Sequence, residues 1–275
     1  MGYYHDVPPP GTPDWVMPTF AAIMCGGVGL WLVAYVLMAQ RSLATNATST
    51  PLIILGLNLA WEAVFAFYVA DGPLDRLGFA CWFIIDIPLV WSTLRTIPKS
   101  FESQPLVRKH ANTILASSFL AGLAAFGWYA VWWLETPGTG YGDKVGKGWK
   151  DLGQRDTTEL SFWTAAPIQL GGSVGSVAMV LQRGHSGGHG YAIWACRFVG
   201  SLLGLPVACT FLWWWWPEAT GFITDPFAII MMVSIVLCDL LYPLVIWEVR
   251  KTEVVLDDGT VVAGWSPEAK AKKRA

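Results

Sequence analysis

The chain has 275 residues, of which 54% are hydrophobic and 14% are charged, and its mean hydropathy is +0.45. A soluble domain of this length does not need so apolar a composition for one core, so we predict an integral membrane protein. The formal net charge is −2 and most charges fall in predicted loops and the C-terminal tail, which argues against nucleic-acid binding.

Seven apolar stretches follow one another along the chain, separated by polar, Gly-bearing or Pro-bearing turns. A helix needs about 20 apolar residues to cross the hydrocarbon of a bilayer. The sequence therefore predicts an all-α fold, a bundle of seven transmembrane helices within residues 1–250, followed by a polar cytosolic tail at 251–275. The predicted spans are 17–39, 52–70, 77–96, 113–134, 160–182, 190–212 and 226–248.

Between the fourth and fifth spans, residues 135–159 form a long connection that contains six glycines. Its composition is typical of a flexible tether, and a lid over the bundle is the alternative. Tryptophans at the neighbouring helix ends are expected to form an aromatic belt at the membrane interface. These tryptophans are Trp128, Trp132, Trp133, Trp163 and the run Trp213 to Trp216.

Basic residues are unevenly divided between the two sets of loops, which predicts the orientation of the bundle. Twelve lie on the side of the C-terminus and five on the side of the N-terminus. We therefore expect a lumenal N-terminus and a cytosolic C-terminus, with the protein in the membrane of the endoplasmic reticulum. In this orientation the acceptor motif at Asn46 faces the cytosol, and we expect it to remain unglycosylated.

Three acidic residues fall near the middle of predicted spans: Glu62 in the second, Asp86 in the third and Asp239 in the seventh. Because an ionisable group at the centre of a bilayer costs about 2.5–3.5 kcal/mol on insertion scales, each one indicates a functional site. A rise of about 1.5 Å per residue places all three at nearly the same depth. We therefore predict that they share one polar cavity.

Other polar and aromatic residues accompany these acids. Asn58 lies four residues before Glu62, and Tyr242 lies three residues after Asp239, so each shares a helix face with its acid. Arg197 is the basic residue well inside a span, where it either pairs with an acid or extends to the interface. Trp31, Trp61 and Trp82 lie too deep for an aromatic belt, which leaves packing or a ligand cavity as explanations.

Buried carboxyl groups close to one another favour the protonated form, so at least one of these acids is expected to be a neutral proton donor. All four histidines fall in predicted loops or terminal segments and cannot replace it. The spacing of His185 and His189 lacks a third ligand, and the five cysteines show no zinc or disulfide pattern. We expect no metal and no other cofactor.

Four segments of the sequence are distinctive: NLAWEAVFAF, DIPLVWSTLR, RGHSGGHGYAIWACRFVGS and CDLLYPLVIW. They resemble the fungal transmembrane terpene cyclases of meroterpenoid and indole-diterpene pathways. The resemblance covers about residues 17–250, and the sequence departs from the pattern in the loop 135–159 and in the extended tail. It implies a non-canonical class II cyclase that protonates a prenyl chain, often epoxidised, and it places the catalytic acids at Glu62 and Asp239.

The resulting hypothesis is cyclisation of a hydrophobic prenylated substrate within the bilayer. By position, the cavity is expected to include further substrate-binding residues, namely Asn58, Trp61, Trp82, Asp86, Arg197 and Tyr242. A proton-coupled transporter or a seven-helix receptor is the alternative, because acids in the membrane also suit a proton relay. No internal repeat supports a transporter, and no lysine within a span could form a retinal Schiff base.

Overall fold

The computed structural model describes residues 4–274 and contains seven helical segments long and apolar enough to cross a membrane. The predicted all-α fold class is therefore confirmed. The helices are α1 (Val16–Thr45), α2 (Leu52–Val64), α3 (Pro73–Ser100), α4 (Pro105–Glu135), α5 (Thr157–Arg183), α6 (Tyr191–Leu202), α7 (Ala208–Trp215), α8 (Pro226–Arg250) and α9 (Pro267–Arg274).

Several helices are longer than predicted because hydropathy marks only the stretch that fits the hydrocarbon, whereas a helix continues through its own hydrogen bonds. Local sequence then sets the ends. The side chain of Asp156 accepts a hydrogen bond from the backbone N–H of Glu159 at the start of α5, and Gly184, with φ of 64°, ends that helix. Asp225 and Pro226 begin α8 in the same way.

Two spans contain a π-helical turn. Residues Phe65–Val69 continue α2, and residues Leu203–Val207 join α6 to α7, so that Tyr191–Trp215 forms a single span. The second turn contains Pro206, which has no backbone N–H to donate to the preceding turn. Such turns are frequent at functional sites, and both lie within a few residues of the candidate site described below.

Small residues allow two helix pairs to approach closely. A Cβ atom built on Gly56 of α2 would lie 2.0 Å from Ser118 Oγ on α4, and one on Gly27 of α1 would lie 3.0 Å from the carbonyl oxygen of Gly200 on α6. These glycines let van der Waals packing hold helices together where lipid offers no hydrophobic driving force. The α1–α6 contact borders a cavity that is described below with the candidate active site.

The prediction that residues 135–159 form a flexible tether is wrong. This segment is folded: it contains the hairpin of β1 (Gly148–Trp149) and β2 (Leu152–Gly153), and its two interior lysines are buried. Lys144 Nζ lies 2.9 Å from Asp156 Oδ2 and 2.5 Å from Glu159 Oε2, and Lys147 Nζ lies 2.8 Å from Asp6 Oδ2. The glycines supply positive φ angles to a compact loop, and long-range ion pairs fix it.

We call this group of Asp6, Lys144, Lys147, Asp156 and Glu159 the buried ion-pair network. Burial raises the pKa of Asp6 to about 6, with Lys147 acting in the opposite direction. For Asp156, burial also acts to raise the pKa, but attraction by Lys147 and Lys144 outweighs it and the pKa is lowered. The network links the N-terminal segment, the loop and the start of α5 at one end of the bundle.

The tryptophans of this end divide into two groups. Trp128 and Trp214 are exposed, as expected of belt residues, whereas Trp133 and Trp216 are buried. Trp133 Nε1 donates to the carbonyl oxygen of Asp156 at 2.9 Å, and Lys147 Nζ lies 4.6 Å from the centroid of Trp216. The belt prediction is therefore wrong for these two residues, because they pack under the folded loop.

The tail is ordered against the opposite end of the bundle. It forms a hairpin of β3 (Val254–Val255) and β4 (Val261–Val262) followed by α9. Asn46 Nδ2 donates to Thr260 Oγ1 at 2.9 Å, Lys99 pairs with Asp258, and Trp265 covers Gly184. These contacts connect the tail to the ends of α1, α3 and α5.

Candidate active site

A cluster of four polar side chains lies between α1, α2 and α3. Asn58 Nδ2 lies 2.8 Å from Glu62 Oε1 and 3.1 Å from Asp86 Oδ2, so that one amide holds both carboxyl groups. Tyr35 OH donates to the same Glu62 oxygen at 3.1 Å and lies 2.8 Å from Asn58 Nδ2. Both acids are buried, with exposed fractions of 1% for Glu62 and 0% for Asp86.

Each carboxyl group keeps one oxygen without a partner. Among the described residues, Glu62 Oε2 and Asp86 Oδ1 have no hydrogen bond, and neither does the indole nitrogen of Trp82. A buried polar atom without a partner costs free energy, so such atoms need an explanation. A ligand in the adjoining cavity would provide one for Glu62 and Trp82, whose side chains line it.

That cavity, which we call the main cavity, has a volume of about 90 Å³ and is lined mostly by apolar and aromatic groups. Trp61 is fixed by a 2.9 Å hydrogen bond from Nε1 to Thr164 Oγ1, and its ring lies 6.0 Å from that of Trp82. Asp86 lies behind Asn58 and is not part of the lining. The main polar and aromatic lining residues are Trp31, Tyr35, Asn58, Trp61, Glu62, Trp82, Ser161, Phe162 and Gln169.

Asp239 does not join this cluster. It is buried, with Oδ2 unpartnered among residues 4–274, and it lines a separate cavity of about 10 Å³ between α6 and α8. Ser201 and Leu205 lie in the walls of both cavities and separate them. Ser173 hydrogen-bonds the Asp239 carboxyl group, and Arg197 attracts it electrostatically.

Arg197 does not extend to the interface; its exposed fraction is 4%. Its Nη1 donates to Ser176 Oγ at 2.7 Å, and its guanidinium carbon lies 5.5 Å from the Trp31 ring and 5.7 Å from the Tyr242 ring. Arg197 lines a third cavity of about 40 Å³, which shares Tyr35 and Asn58 with the main cavity. The guanidinium therefore lies on the far side of the Tyr35 and Asn58 layer from the main cavity.

Tyr242 lies apart from the main cavity as well. It is buried in an apolar cluster with Val180 and Ile246, and its hydroxyl lies 2.5 Å from His189 Nδ1. Of the residues predicted to share one site, the structure thus joins Asn58, Glu62 and Asp86 directly, with Trp61 and Trp82 in the same cavity wall. It places Asp239, Arg197 and Tyr242 outside the lining of the main cavity.

Comparison with known proteins then decides the family. The family model described as Pyr4-like transmembrane terpene cyclases matches residues 5–252. The chain belongs to this family. The resemblance stated from the sequence is thereby confirmed, and the cyclase is an enzyme of terpene cyclisation rather than a receptor or transporter.

Individual relatives agree with this assignment. The cyclase is 31% identical to terpene cyclase ascF of Acremonium egyptiacum, over 94% of this chain and 95% of the relative. It is 30% identical to terpene cyclase macJ of Penicillium terrestre, over 83% and 81%, and 28% identical to terpene cyclase ltmB of Epichloe festucae var. lolii, over 83% and 90%. No solved structure matches the chain.

Sequence reasoning missed Tyr35, which completes the hydrogen-bond cluster around Glu62. The signal was present, since Tyr35 follows Trp31 by four residues in the middle of the first span and therefore shares its helix face. Thr164, the partner of Trp61, was also missed. A hydroxyl in a helix commonly bonds its own backbone, as Thr164 does to Leu160, and so carries no clear sign of a second role.

Residues 184–190, which contain His185 and His189 and which we call the histidine loop, are largely buried against the end of the bundle. Burial lowers the pKa of His185 to about 4, and burial together with the nearby Arg183 keeps the pKa of His189 well below its usual value. Both rings are therefore neutral at pH 7. Within residues 4–274, no three His, Cys, Asp or Glu side chains are grouped as metal ligands.

Proposed function

We propose that Glu62 starts the cyclisation by protonating an epoxidised prenyl chain bound in the main cavity. The proposal rests on the different surroundings of the two oxygens of the Glu62 carboxyl group. Tyr35 and Asn58 hold Oε1, whereas Oε2 has no partner among the described residues and belongs to a side chain that lines the cavity. A proton donor must be fixed in position and still reach its substrate.

Asp86 supports the acid rather than contacting the substrate. Its carboxyl group shares the Asn58 amide with Glu62, and two buried carboxyl groups held this close do not both ionise readily. One proton retained by the pair leaves a neutral carboxylic acid at Glu62. This is the form that protonates an epoxide.

The proposed reaction conserves atoms and charge. The proton passes from Glu62 to the epoxide oxygen, the oxygen–carbon bond breaks, and a tertiary carbocation and a hydroxyl group form. Alkene electron pairs then close the rings, and the last cation loses a proton to a base or to water. A proton from the surroundings finally returns to the Glu62 carboxylate.

The aromatic lining suits such a carbocation. The faces of Trp31, Trp61 and Trp82 carry electron density that attracts a cation, an interaction worth about 2 kcal/mol or more when water is excluded. The predominantly apolar lining also limits the water that would quench the cation before ring closure. In this proposal the protein itself supplies the acid and the stabilising rings, without a metal.

Asp239 remains the proposed second catalytic acid, with a role at a distance from Glu62. Its carboxyl group lies beyond Ser201 and Leu205, where it compensates the buried charge of Arg197. We propose that this pair sets the electrostatic field beside the main cavity. The Asp239 carboxylate accepts, through Ser201, the proton released from the product and then loses it to the surroundings. We propose an endoplasmic reticulum location with a cytosolic C-terminus.

The direct test uses microsomes that contain the enzyme and aryl ethers of epoxyfarnesyl and epoxygeranylgeranyl chains in deuterium oxide. Initiation at the epoxide places the transferred deuteron on oxygen, and washing with water removes it. Initiation at an alkene leaves a stable carbon–deuterium bond in the product. Cyclised product without retained deuterium at the initiating carbon, formed equally with a chelator present, supports the proposal; retained deuterium or loss of activity with the chelator contradicts it.

A further inference from the structure

A second space lies on the outside of the bundle between α1 and α3. This groove has a volume of about 260 Å³, and almost all of its surface is apolar. Leu74 and Leu77 on its α3 side are exposed, as is Cys25 on its α1 side, so the groove faces the lipid of a surrounding bilayer. Its lining consists of Met24, Cys25, Val28, Gly29, Leu32, Leu74, Asp75, Leu77, Gly78, Phe79, Cys81 and Trp82.

The groove and the main cavity share a wall. Met24, Val28 and Trp82 line both spaces and form the wall between the groove and the cavity that contains Glu62. Trp82 is the largest of them, and its indole nitrogen has no hydrogen-bond partner within residues 4–274. The wall thus consists of the flexible Met24, the small Val28 and the Trp82 ring, which no hydrogen bond holds in place. Rotation of these side chains can open the wall.

Two glycines keep the groove empty. A Cβ atom on Gly29 or on Gly78 would have no heavy atom within 4 Å, outside its own helix backbone and chain neighbours. These glycines therefore differ from Gly27 and Gly56, where a Cβ would meet the next helix. Gly29 and Gly78 do not bring neighbouring helices together. The absence of their side chains leaves space in the groove for another molecule.

We propose that this groove is the lateral access site through which the prenyl chain of the substrate passes from the bilayer into the main cavity, with Trp82 as the gate. The inference rests on the proposed function, which requires a long apolar chain to reach Glu62. The groove fits that chain because it is apolar, opens to the phase in which a prenyl group dissolves, and adjoins the main cavity at Trp82. A lipid acyl chain is the competing occupant.

Photolabelling tests occupancy without requiring turnover. The probe is a farnesyl phenyl ether with a diazirine at the far end of the chain, added to membranes containing the Glu62→Gln variant. We expect labels on peptides covering 25–32 and 74–82, removed by excess farnesyl phenyl ether and retained with excess oleic acid. Labelling suppressed equally by oleic acid identifies an acyl-chain groove, and labelling elsewhere removes the groove from the path; either result overturns the proposal.

Filling the groove tests its role in catalysis. Gly78→Leu and Gly29→Leu, made separately in the active enzyme, are expected to raise the apparent KM about tenfold with little change in kcat, because they remove binding and access rather than chemistry. Gly127→Leu on α4 is the matched control, since a Cβ there also meets nothing within 4 Å and lies outside the groove. A wild-type KM in both groove variants contradicts the proposal, as does an equal rise in the control.

The two hypotheses fail separately. If Glu62→Gln turns over normally, the assignment of the acid is wrong while the labelling pattern still reports on the groove. If the predicted peptides are not labelled, or if KM is unchanged in both glycine variants, while Glu62→Gln is inactive, the groove is wrong and the acid stands. Membrane yield and melting temperature of each glycine variant show whether a lost signal is a loss of protein.

Discussion

Glu62 on α2 and Asp86 on α3 share a single hydrogen-bond donor, the side-chain amide of Asn58. Each carboxyl group gives that amide one oxygen and leaves its other oxygen unpartnered among residues 4–274. Only the Glu62 side chain borders the main cavity. The arrangement therefore distinguishes an acid that reaches the substrate from an acid that supports it.

Replacement of Asp86 by Asn tests this distinction. The change preserves shape and a hydrogen-bonding group but removes the second carboxyl group, so we expect kcat to fall about 10- to 1000-fold without loss of all activity. The measurement is product formation per mole of membrane-inserted enzyme. A variant without any activity at normal protein levels would make Asp86 part of the primary acid, and full activity would remove it from the mechanism.

Replacement of Asp239 by Asn tests the remote acid. The variant leaves the buried Arg197 without its compensating charge, and we expect activity to fall by at least about 100-fold. Membrane insertion and protein yield serve as controls. Activity close to that of the wild type would confine Asp239 to helix packing between α5 and α8.

The buried ion-pair network should contribute strongly to stability. Lys144→Met leaves two buried acids with one cation fewer, at a cost of about 3–5 kcal/mol. We expect the melting temperature of the purified protein in detergent to fall by roughly 5–15 °C. Lys150→Met is the matched control, because Lys150 belongs to the same loop but is exposed. Equal melting temperatures of the two variants would show that the buried ion-pair network does not stabilise the fold.

Mild acid should destabilise the histidine loop. The pKa of His185 is about 4 in the folded protein, and that of His189 is also lowered, whereas an unfolded histidine titrates near 6.5. The unfolded state therefore binds more protons between about pH 6.5 and 4, and stability falls as pH falls through that window. Asp6 acts in the opposite sense, because its pKa is raised to about 6.

Melting curves at pH 7 and pH 5 measure this effect. The wild type is expected to melt at a lower temperature at pH 5, and His185→Gln/His189→Gln to lose that decrease, since glutamine carries no titrating group and retains polar atoms. The same decrease in the double variant would assign the pH dependence to other residues.

The sequence alone was sufficient to predict the seven spans and to identify Glu62 as a candidate acid. Hydropathy over about 20 residues follows directly from membrane thickness, and a carboxyl group within such a span is conspicuous. Sequence position gives the depth of a residue along a helix axis, however, and not the direction in which its side chain points within the assembled bundle. Depth alone for this reason could not predict that Asp239 lines a different cavity from Glu62.

The loop 135–159 shows a second limit. Local composition indicates flexibility when glycine is frequent, but the ion pair between Asp6 and Lys147 joins residues far apart in the chain. Only the assembled fold brings these charges together and removes them from water. The contribution of Tyr35 escaped prediction for a related reason, because a single tyrosine in a helix does not indicate which acid it will bond.

Glu62 is proposed to be the acid that begins cyclisation, and a single-turnover assay of Glu62→Gln tests this role. Glutamine keeps the size of the side chain and can still bond Tyr35 and Asn58, but it has no carboxylic proton to transfer. With the epoxidised substrate saturating and the variant inserted at wild-type levels, the account predicts bound substrate and no cyclised product. Cyclised product at the wild-type rate would contradict it.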